Sequence, residues 1–504
     1  MWGCAVGDAS ASTLFAPEGA PTGCSPLSAS GKSVGCFSMG NSKNNTSLIY
    51  GLFLAFLVWV PLPMGSNRAW AWSLAEVWVF ALLAWWLVLY LRGTVVVPPA
   101  LKKARFVIAL YCGWLLLVVV QIVPLPISVV EVVSPAVLAV ADRAGDVQRE
   151  SILLSLDVYA TQAFLLKSLM YLSVFLLSLL LLNTRERIRQ ALTVLVLVGL
   201  FQAVLGAMMV FTGYEHGFFF EKDSYRGVAT GTFVNRNHLA GHLEMVLAAG
   251  IGLLLADTGG GMAISWRQRL RNLTQWLLSP KMRLRIYLAV MVIGLVLTHS
   301  RMGNTAFFSS LLIASLIWLL LTKKTPKGPA VFLLVSLFVI DIYIVGAWFG
   351  IDKVVERLEK TSVDSETRDE VVQYGIEYFK DFPYLGSGGG TFYSVFPAYR
   401  GEHVAGFYDQ AHNDYLQMAV ETGGAGLFLL GSMVVLSFGA AFWSIYRRQH
   451  SLYRGLGFAG VMGILSLMIH SSVDFNLQIP ANAVYFMILL AFSWLAIGMP
   501  RRSE

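Results

Sequence analysis

The sequence predicts an all-α polytopic membrane protein of about twelve transmembrane helices with one large extracytoplasmic loop. Three observations carry that prediction. Of the 504 residues, 56% are hydrophobic and only 13% charged, where soluble domains carry roughly a quarter charged residues. Mean hydropathy is +0.64. The apolar residues gather in runs of spanning length, near 47–65, 70–91, 105–124, 162–182, 190–212, 238–256, 284–299, 303–322, 329–349, 415–446, 456–473 and 481–499. Basic residues recur in every second gap between those runs. They include Arg92, Lys102, Lys103 and Arg105, then Arg185, Arg187 and Arg189, then Arg267 to Arg285. Lys323, Lys324 and Lys327 follow, then Arg447, Arg448 and Arg454, and Arg501 with Arg502 closes the chain. The positive-inside rule makes those gaps, and both termini, cytoplasmic. A net charge of +7 is then an expression of topology and lipid attraction, not of nucleic-acid binding.

Taken in order, residues 1–46 are rich in Gly, Ser, Ala and Thr and have no apolar core long enough for a signal peptide. They read as a disordered cytoplasmic tail, and Met39 is an alternative start just ahead of the first span. Cys4, Cys24 and Cys36 fall in this tail and Cys112 in a span, a pattern that supports neither a disulfide framework nor a zinc site. Helices 1–9 occupy 47–349, a cap loop 350–411, helices 10–12 412–499, and a short cytoplasmic tail 500–504. The outward gaps include 125–161, 213–237 and the cap. The cap holds eleven acids and six bases, and eleven aromatics from Tyr374 to Tyr408, which argues for a folded structure. Its stretch from Arg368 to Lys380 reads as an amphipathic helix, broken by Pro383 and the glycines of 386–390. No internal repeat of the kind found in transporters is visible.

The stretch AHNDYLQMAVETGGAG, from Ala411 to Gly426, places an imidazole where the polar loop meets an apolar helix. Asn413 and Asp414 are N-capping types. At helical offsets Leu416, Ala419 and Gly423 share a face with His412, and Gly423 with Gly426 would let a neighbouring backbone approach closely, as small-residue spacing does between membrane helices. The pair reads either as an ordinary helix cap or as a titratable group at the membrane surface. Three arginines stand on the same outer face: Arg236 ahead of the sixth span, Arg301 in the tight hairpin between the seventh and eighth, and Arg368 in the cap. The guanidinium fork suits phosphate oxygens, while snorkelling or capping would also place an arginine there. Within the spans, Glu76, Lys167, Glu244, Asp341 and Glu421 are read as structural pairs or interfacial groups. His470 and Asp474 are read as one helical turn apart at the outward end of the eleventh span, in position to face His412. The glycine cluster 386–390 lacks the Lys-Ser/Thr of a P-loop and reads as a turn. No Asp-x-Asp pair supports a metal-dependent sugar-nucleotide site, and no cofactor is expected.

His-Asn, nine residues, then Gly-x-x-Gly resembles the signature of the O-antigen ligase family, whose relatives include O-antigen polymerases and membrane oligosaccharyltransferases. GTFVNRNHLAGHLEM, LTHSRMG and the cap sequence from Arg368 onward look like that family too, in the same order; the valine at 372 departs from the leucine frequent there. The resemblance implies an architecture like that of the C-type glycosyltransferases and a metal-independent transfer at the periplasmic face of the bacterial inner membrane. It implies a saccharide donor on undecaprenyl diphosphate and an acceptor hydroxyl on lipid A-core, another glycan or a protein. His412, Arg301 and Arg368 would be catalytic, with Arg236, Asn413, His470 and Asp474 binding substrate. Ligase and polymerase share these motifs. A lipid-linked saccharide transporter or a non-catalytic scaffold of an export machine are the readings from other classes.

Overall fold

In a bilayer every backbone N–H and C=O must find a partner within the chain, so long apolar runs resolve into helices. The computed structural model describes residues 46–143, 150–256, 279–322, 335, 362–401 and 408–500, with only the backbone course for 362–369. Its long helices are α1 (Ser47–Trp59), α2 (Ala69–Leu91), α3 (Arg105–Gln121), α4 (Val158–Leu181), α5 (Arg185–Thr212), α6 (Arg236–Ala256), α7 (Pro280–Leu297), α8 (Arg301–Leu321), α9 (Ser362–Asp381), α10 (Asp414–Arg447), α11 (Ser451–His470) and α12 (Pro480–Gly498). Strand is confined, among the described residues, to the pairing of Leu125–Pro126 with Ser151–Ile152 and one isolated bridge. The chain is thus an all-α polytopic membrane protein.

Among the described residues eight helices (α2, α4, α5, α6, α8, α10, α11 and α12) are long and apolar enough to cross a membrane. Three further expected spans are helical but fall short of that standard. The run 47–65 yields only the 13 residues of α1, because Pro61 and Pro63 cannot supply the amides to extend it. α3 has 17 residues, and α7 carries Lys281, Arg283 and Arg285 in its first two turns. The expected ninth span, near 329–349, lies outside the described residues apart from residue 335, as do the tail 1–45, the first cap residues 350–361 and 501–504.

Helix starts are written in local capping chemistry. Asp157, Thr184, Ser279 and Ser300 accept from backbone amides of α4, α5, α7 and α8 at 3.0–3.3 Å. Asn413 accepts from both Tyr415 and Leu416 at the head of α10. Pro280 and Pro480 stand in the first turn of α7 and α12, where no amide is missed.

The centre of the bundle is α6, buried at every residue from His238 to Ala256. Against it lies α11, whose buried face includes Gly455, Gly457, Gly460 and Gly463. A Cβ on Gly252 would collide with the Gly455 carbonyl, and one on Gly455 with the Gly252 carbonyl. This is the small-residue approach that draws membrane helices together in the absence of a hydrophobic drive between them. The sequence expected a close backbone approach at Gly423 and Gly426 as well, and at Gly423 it is made by the Tyr384 backbone, outside any helix. Gly423 has φ +69° and ψ 179°, a break inside α10, and a Cβ on Gly426 would meet its own helix's Thr422.

A second, smaller core joins two segments far apart in sequence. Val130, Val137 and Leu154 pack with Val371, Tyr378, Phe382, Phe392, Phe396 and Ala411. Tyr378 stacks on Tyr399 with ring centroids 4.9 Å apart, and Phe392 on Phe396 at 4.7 Å. The Tyr378 hydroxyl meets Ser387, which also pairs with Thr391 at 2.7 Å. Burial holds that phenol above its ordinary range. The cap is a folded element, as its aromatic content suggested, and its helix α9 runs from Ser362 to Asp381, ending short of Pro383.

Candidate functional site

The break at Gly423 explains the spacing of the His-Asn/Gly-x-x-Gly motif. Where α10 opens, the loop after Pro383 enters it edge-on. Gly424 N–H donates to the Pro383 carbonyl at 2.8 Å and Ala425 N–H to Tyr384 at 3.2 Å. In return Ser387 and Gly388 donate to the carbonyls of Val420 and Glu421 at 3.0 and 3.1 Å. Gln121, at the end of α3, staples the joint: its amide donates to the carbonyls of Leu385 and Glu421 and accepts from Gly389. The glycine cluster is therefore a fitted turn, with Gly386, Gly388 and Gly390 at positive φ. Glu421 is wholly buried here, accepting from Gln417 and the Phe392 amide.

His412 does not lie on α10, contrary to the helical-face reading. It sits two residues ahead of the helix, half-buried, with φ +50°. A non-glycine residue in the left-handed region costs of order 1–3 kcal/mol and is held there by its surroundings. Those surroundings are specific. Phe475 meets the imidazole edge-on at 4.8 Å between centroids, and Tyr408 does so at 6.1 Å. On its two sides, Ala411 N–H donates to Gln417 Oε1 and Asn413 is committed to capping α10.

Asp414 ties this start of α10 to the turn after α11. Its amide donates to the carbonyls of Ser471 and Asp474, and its carboxylate accepts from the Ser471 hydroxyl at 2.7 Å and the Leu477 amide at 3.1 Å. Asp474 lies in that turn and not on the helix, because α11 ends at His470. His470 does not face His412: its Nδ1 lies 2.8 Å from Glu244 Oε1, with Nε2 3.7 Å from Asp474. Glu244, read from sequence as a structural pair, is one, and Ser466 donates to its second oxygen at 2.7 Å.

His238, which sequence reasoning passed over, comes into the same cluster. Its ring stands edge-on to Phe475 at 4.7 Å, opposite His412, and its Nε2 lies 3.9 Å from Asp474. The signal was present in HLAGHLE, which sets His238, His242 and Glu244 within two turns of one mostly apolar helix. What the sequence did not carry was the partner, 226 residues away.

The arginines stand at the same end of the bundle. Arg236 opens α6, with its guanidinium 5.6 Å over the Tyr225 ring. The loop presenting Tyr225 is built around buried Lys222, which bonds Glu215 at 2.6 Å and the Val228 carbonyl at 2.9 Å. Arg301 is the exposed first residue of α8 after a three-residue connection. Two residues along, a Cβ on Gly303 would lie 3.1 Å from Glu244 Oε1, so the first turn of α8 packs against the buried acid. The residues at φ > 0 other than glycine include Tyr225, His299 and His412, each a site neighbour: beneath Arg236, beside Arg301 and the candidate base itself. Arg368 lies on α9, with its side chain outside the described residues. Between the turn at 476–478 and the bundle is an apolar cavity of about 130 Å3, lined in part by Trp114, Lys167, Met418, Leu477, Gln478 and Phe486.

The described residues thus combine a bundle of membrane-length helices with a folded segment that leads into His412. Residues 286–431 match the family model described as O-antigen ligase; no curated protein matches the chain. The matched span runs from α7 into α10 and takes in Arg301, Arg368, His412 and the break at Gly423. Over that span, which is under a third of the chain, the protein is similar to the O-antigen ligase family.

Proposed function

We propose that the protein transfers a saccharide from undecaprenyl diphosphate to an acceptor hydroxyl at the periplasmic face of the bacterial inner membrane, in the manner of an O-antigen ligase. The observation that carries this reading is His412, half-buried and held at φ +50° between Phe475 and the cap of α10. An imidazole kept in a fixed orientation, with a pKa naturally near neutrality, suits proton removal from a sugar hydroxyl. In the proposed step His412 takes the hydroxyl proton as the acceptor oxygen bonds to the anomeric carbon. The bond from that carbon to the diphosphate breaks, and its electron pair leaves with the lipid carrier. One direct displacement inverts the anomeric centre.

Charge grows on the diphosphate as it departs, and donors fixed in advance lower that barrier without reorganising. Arg301 and Arg368 are assigned this role, with Arg236 supporting them, and the apolar cavity beside Leu477 and Gln478 suits a lipid chain. The basic even-numbered gaps support the outward placement of the cap. A polymerase of the same family would use the same groups with a growing glycan as acceptor.

The test is His412→Ala expressed in a strain lacking the chromosomal copy. The variant is expected to insert and fold, and to lose transfer by about 100-fold or more, the range of a general base. Lipid-linked long chains accumulating in the deletion strain identify a ligase, and single repeats a polymerase. Near-normal surface glycan with His412→Ala overturns the assignment.

A further inference from the structure

Beneath His412 lies a line of four ionisable side chains that the proposed transfer step leaves unused. Glu244 lies eight residues into α6, about 12 Å from its start, and is wholly buried, as is His470. Asp474 and His238 are 1% and 4% exposed. Their order in space is acid, imidazole, acid, imidazole. Glu244 Oε1 is 2.8 Å from His470 Nδ1, His470 Nε2 is 3.7 Å from Asp474 Oδ2, and Asp474 Oδ1 is 3.9 Å from His238 Nε2. Ionisable groups inside a membrane bundle are expensive and persist where they pair or act. Ser466 and His470 between them meet both Glu244 oxygens, so the Glu244 end of the line accounts for itself.

The Asp474 end is less complete. His470 Nε2, Asp474 Oδ2 and His238 Nε2 are all buried and lack a hydrogen-bond partner, although they converge on one carboxylate. Asp474 is also the point where the line meets the site. Its carbonyl accepts from the Asp414 amide at the head of α10, and its neighbour Phe475 touches both His238 and His412. A shift in the Asp474 carboxylate is therefore transmitted to the ring against which His412 rests and to the helix start that fixes its backbone. Asp414 is the other charged group on this joint, and it is held by Ser471 and Leu477.

We infer that Glu244, His470 and Asp474 act as a chain of positioning residues that fixes Phe475 and the head of α10, and through them sets His412 for turnover. The inference rests on the transferase reading above. It assigns none of the three a contact with substrate, so their removal acts on the turnover step and not on donor affinity. Misplacing a reacting group by an ångström costs up to about 100-fold in rate.

The experiment uses the purified full chain in liposomes. The donor is lipid-linked glycan extracted from the deletion strain, and acceptor-bearing membranes come from the same strain. Glu244→Gln keeps the size and the Ser466 contact but removes the charge facing His470. It is expected to lower kcat about 10- to 100-fold with donor KM changed less than about twofold, and Asp474→Asn is expected to do the same. The double variant is expected to be about as slow as the slower single one, because the two act as a unit. Folded protein is quantified by size-exclusion chromatography and a melting curve, so that rates are expressed per folded molecule. His470→Gln supplies an independent break in the chain if Glu244→Gln fails to fold.

Unchanged kcat per folded molecule in Glu244→Gln or His470→Gln overturns the inference, as does a double variant whose losses multiply. A rise in KM at constant kcat also overturns it, since that marks a substrate contact. His412→Ala measured alongside separates the two levels. Full activity in that variant overturns the base assignment, while the chain is still judged on its own kcat loss and non-additivity.

Discussion

Replacing Gly423 by alanine tests whether the joint between α10 and the cap is held by backbone geometry. At φ +69° and ψ 179° the residue occupies a region open essentially to glycine alone, and a side chain there costs about 1–3 kcal/mol. The added Cβ would also collide with the Tyr384 carbonyl. Set against this are the four backbone hydrogen bonds that bridge 383–388 to 420–425, each worth about 0.5–1.5 kcal/mol net. The strain is comparable to the bridge, so the variant should keep its helix but open the joint more often. At 1.4 kcal/mol per tenfold, a loss of about 1–3 kcal/mol raises the open population roughly 5- to 150-fold. Amide hydrogen exchange of a peptide covering 383–391, measured by mass spectrometry in detergent, reads this as an equal rise in exchange rate. Gly431→Ala is the control, because a Cβ there meets nothing within 4 Å and should alter exchange by less than about twofold. Unchanged exchange in Gly423→Ala, or an equal rise in the control, would refute the reasoning.

Arg301→Lys keeps the charge but loses the planar fork. Loss of a charge-assisted hydrogen bond worth about 1.5–3 kcal/mol lowers kcat/KM for lipid-linked donor by roughly 10- to 150-fold, and the wild-type rate is expected to be unchanged by a chelator. Donor turnover with and without chelator checks both parts; a fully active lysine variant, or a chelator-sensitive wild type, counts against a phosphate-holding arginine. A reporter fused after Gly401 is expected to be active only when its enzyme works in the periplasm, and cytoplasmic activity would reverse the topology.

The helices were legible because their signal is local. Runs such as 238–256 and 481–499 are predominantly apolar, and the structure begins α6 and α12 within two residues of those limits. The caps Ser300 and Asn413 likewise act on amides two or three residues away. What escaped was set by distant contacts. α10 reads as continuous because nothing near Gly423 announces that Tyr384 arrives there. The cap core was expected from the aromatics of 374–408, yet three of its eleven buried members, Val130, Val137 and Leu154, come from a distant segment. His412 was legible as a residue but not as a conformation, since its left-handed backbone depends on Phe475 and Asn413 together. His470 was found by type and misassigned by direction, because Glu244 lies on a helix that the sequence pairs with nothing.

The interval between Asn413 and Gly423 behaves as a ruler. Its nine helical residues make about 2.5 turns, with the cap that orients His412 at one end and the opening that receives the Pro383 loop at the other. One residue inserted or deleted would rotate one end against the other by about 100° and shift it by about 1.5 Å. The loop and the imidazole would then no longer present to the same space. Asp414, Gln417 and Glu421 fix contacts along those turns, and the number of residues between the two ends fixes the register. Diversification toward new acceptors is therefore expected to alter length elsewhere in the outward segments and to leave this count intact.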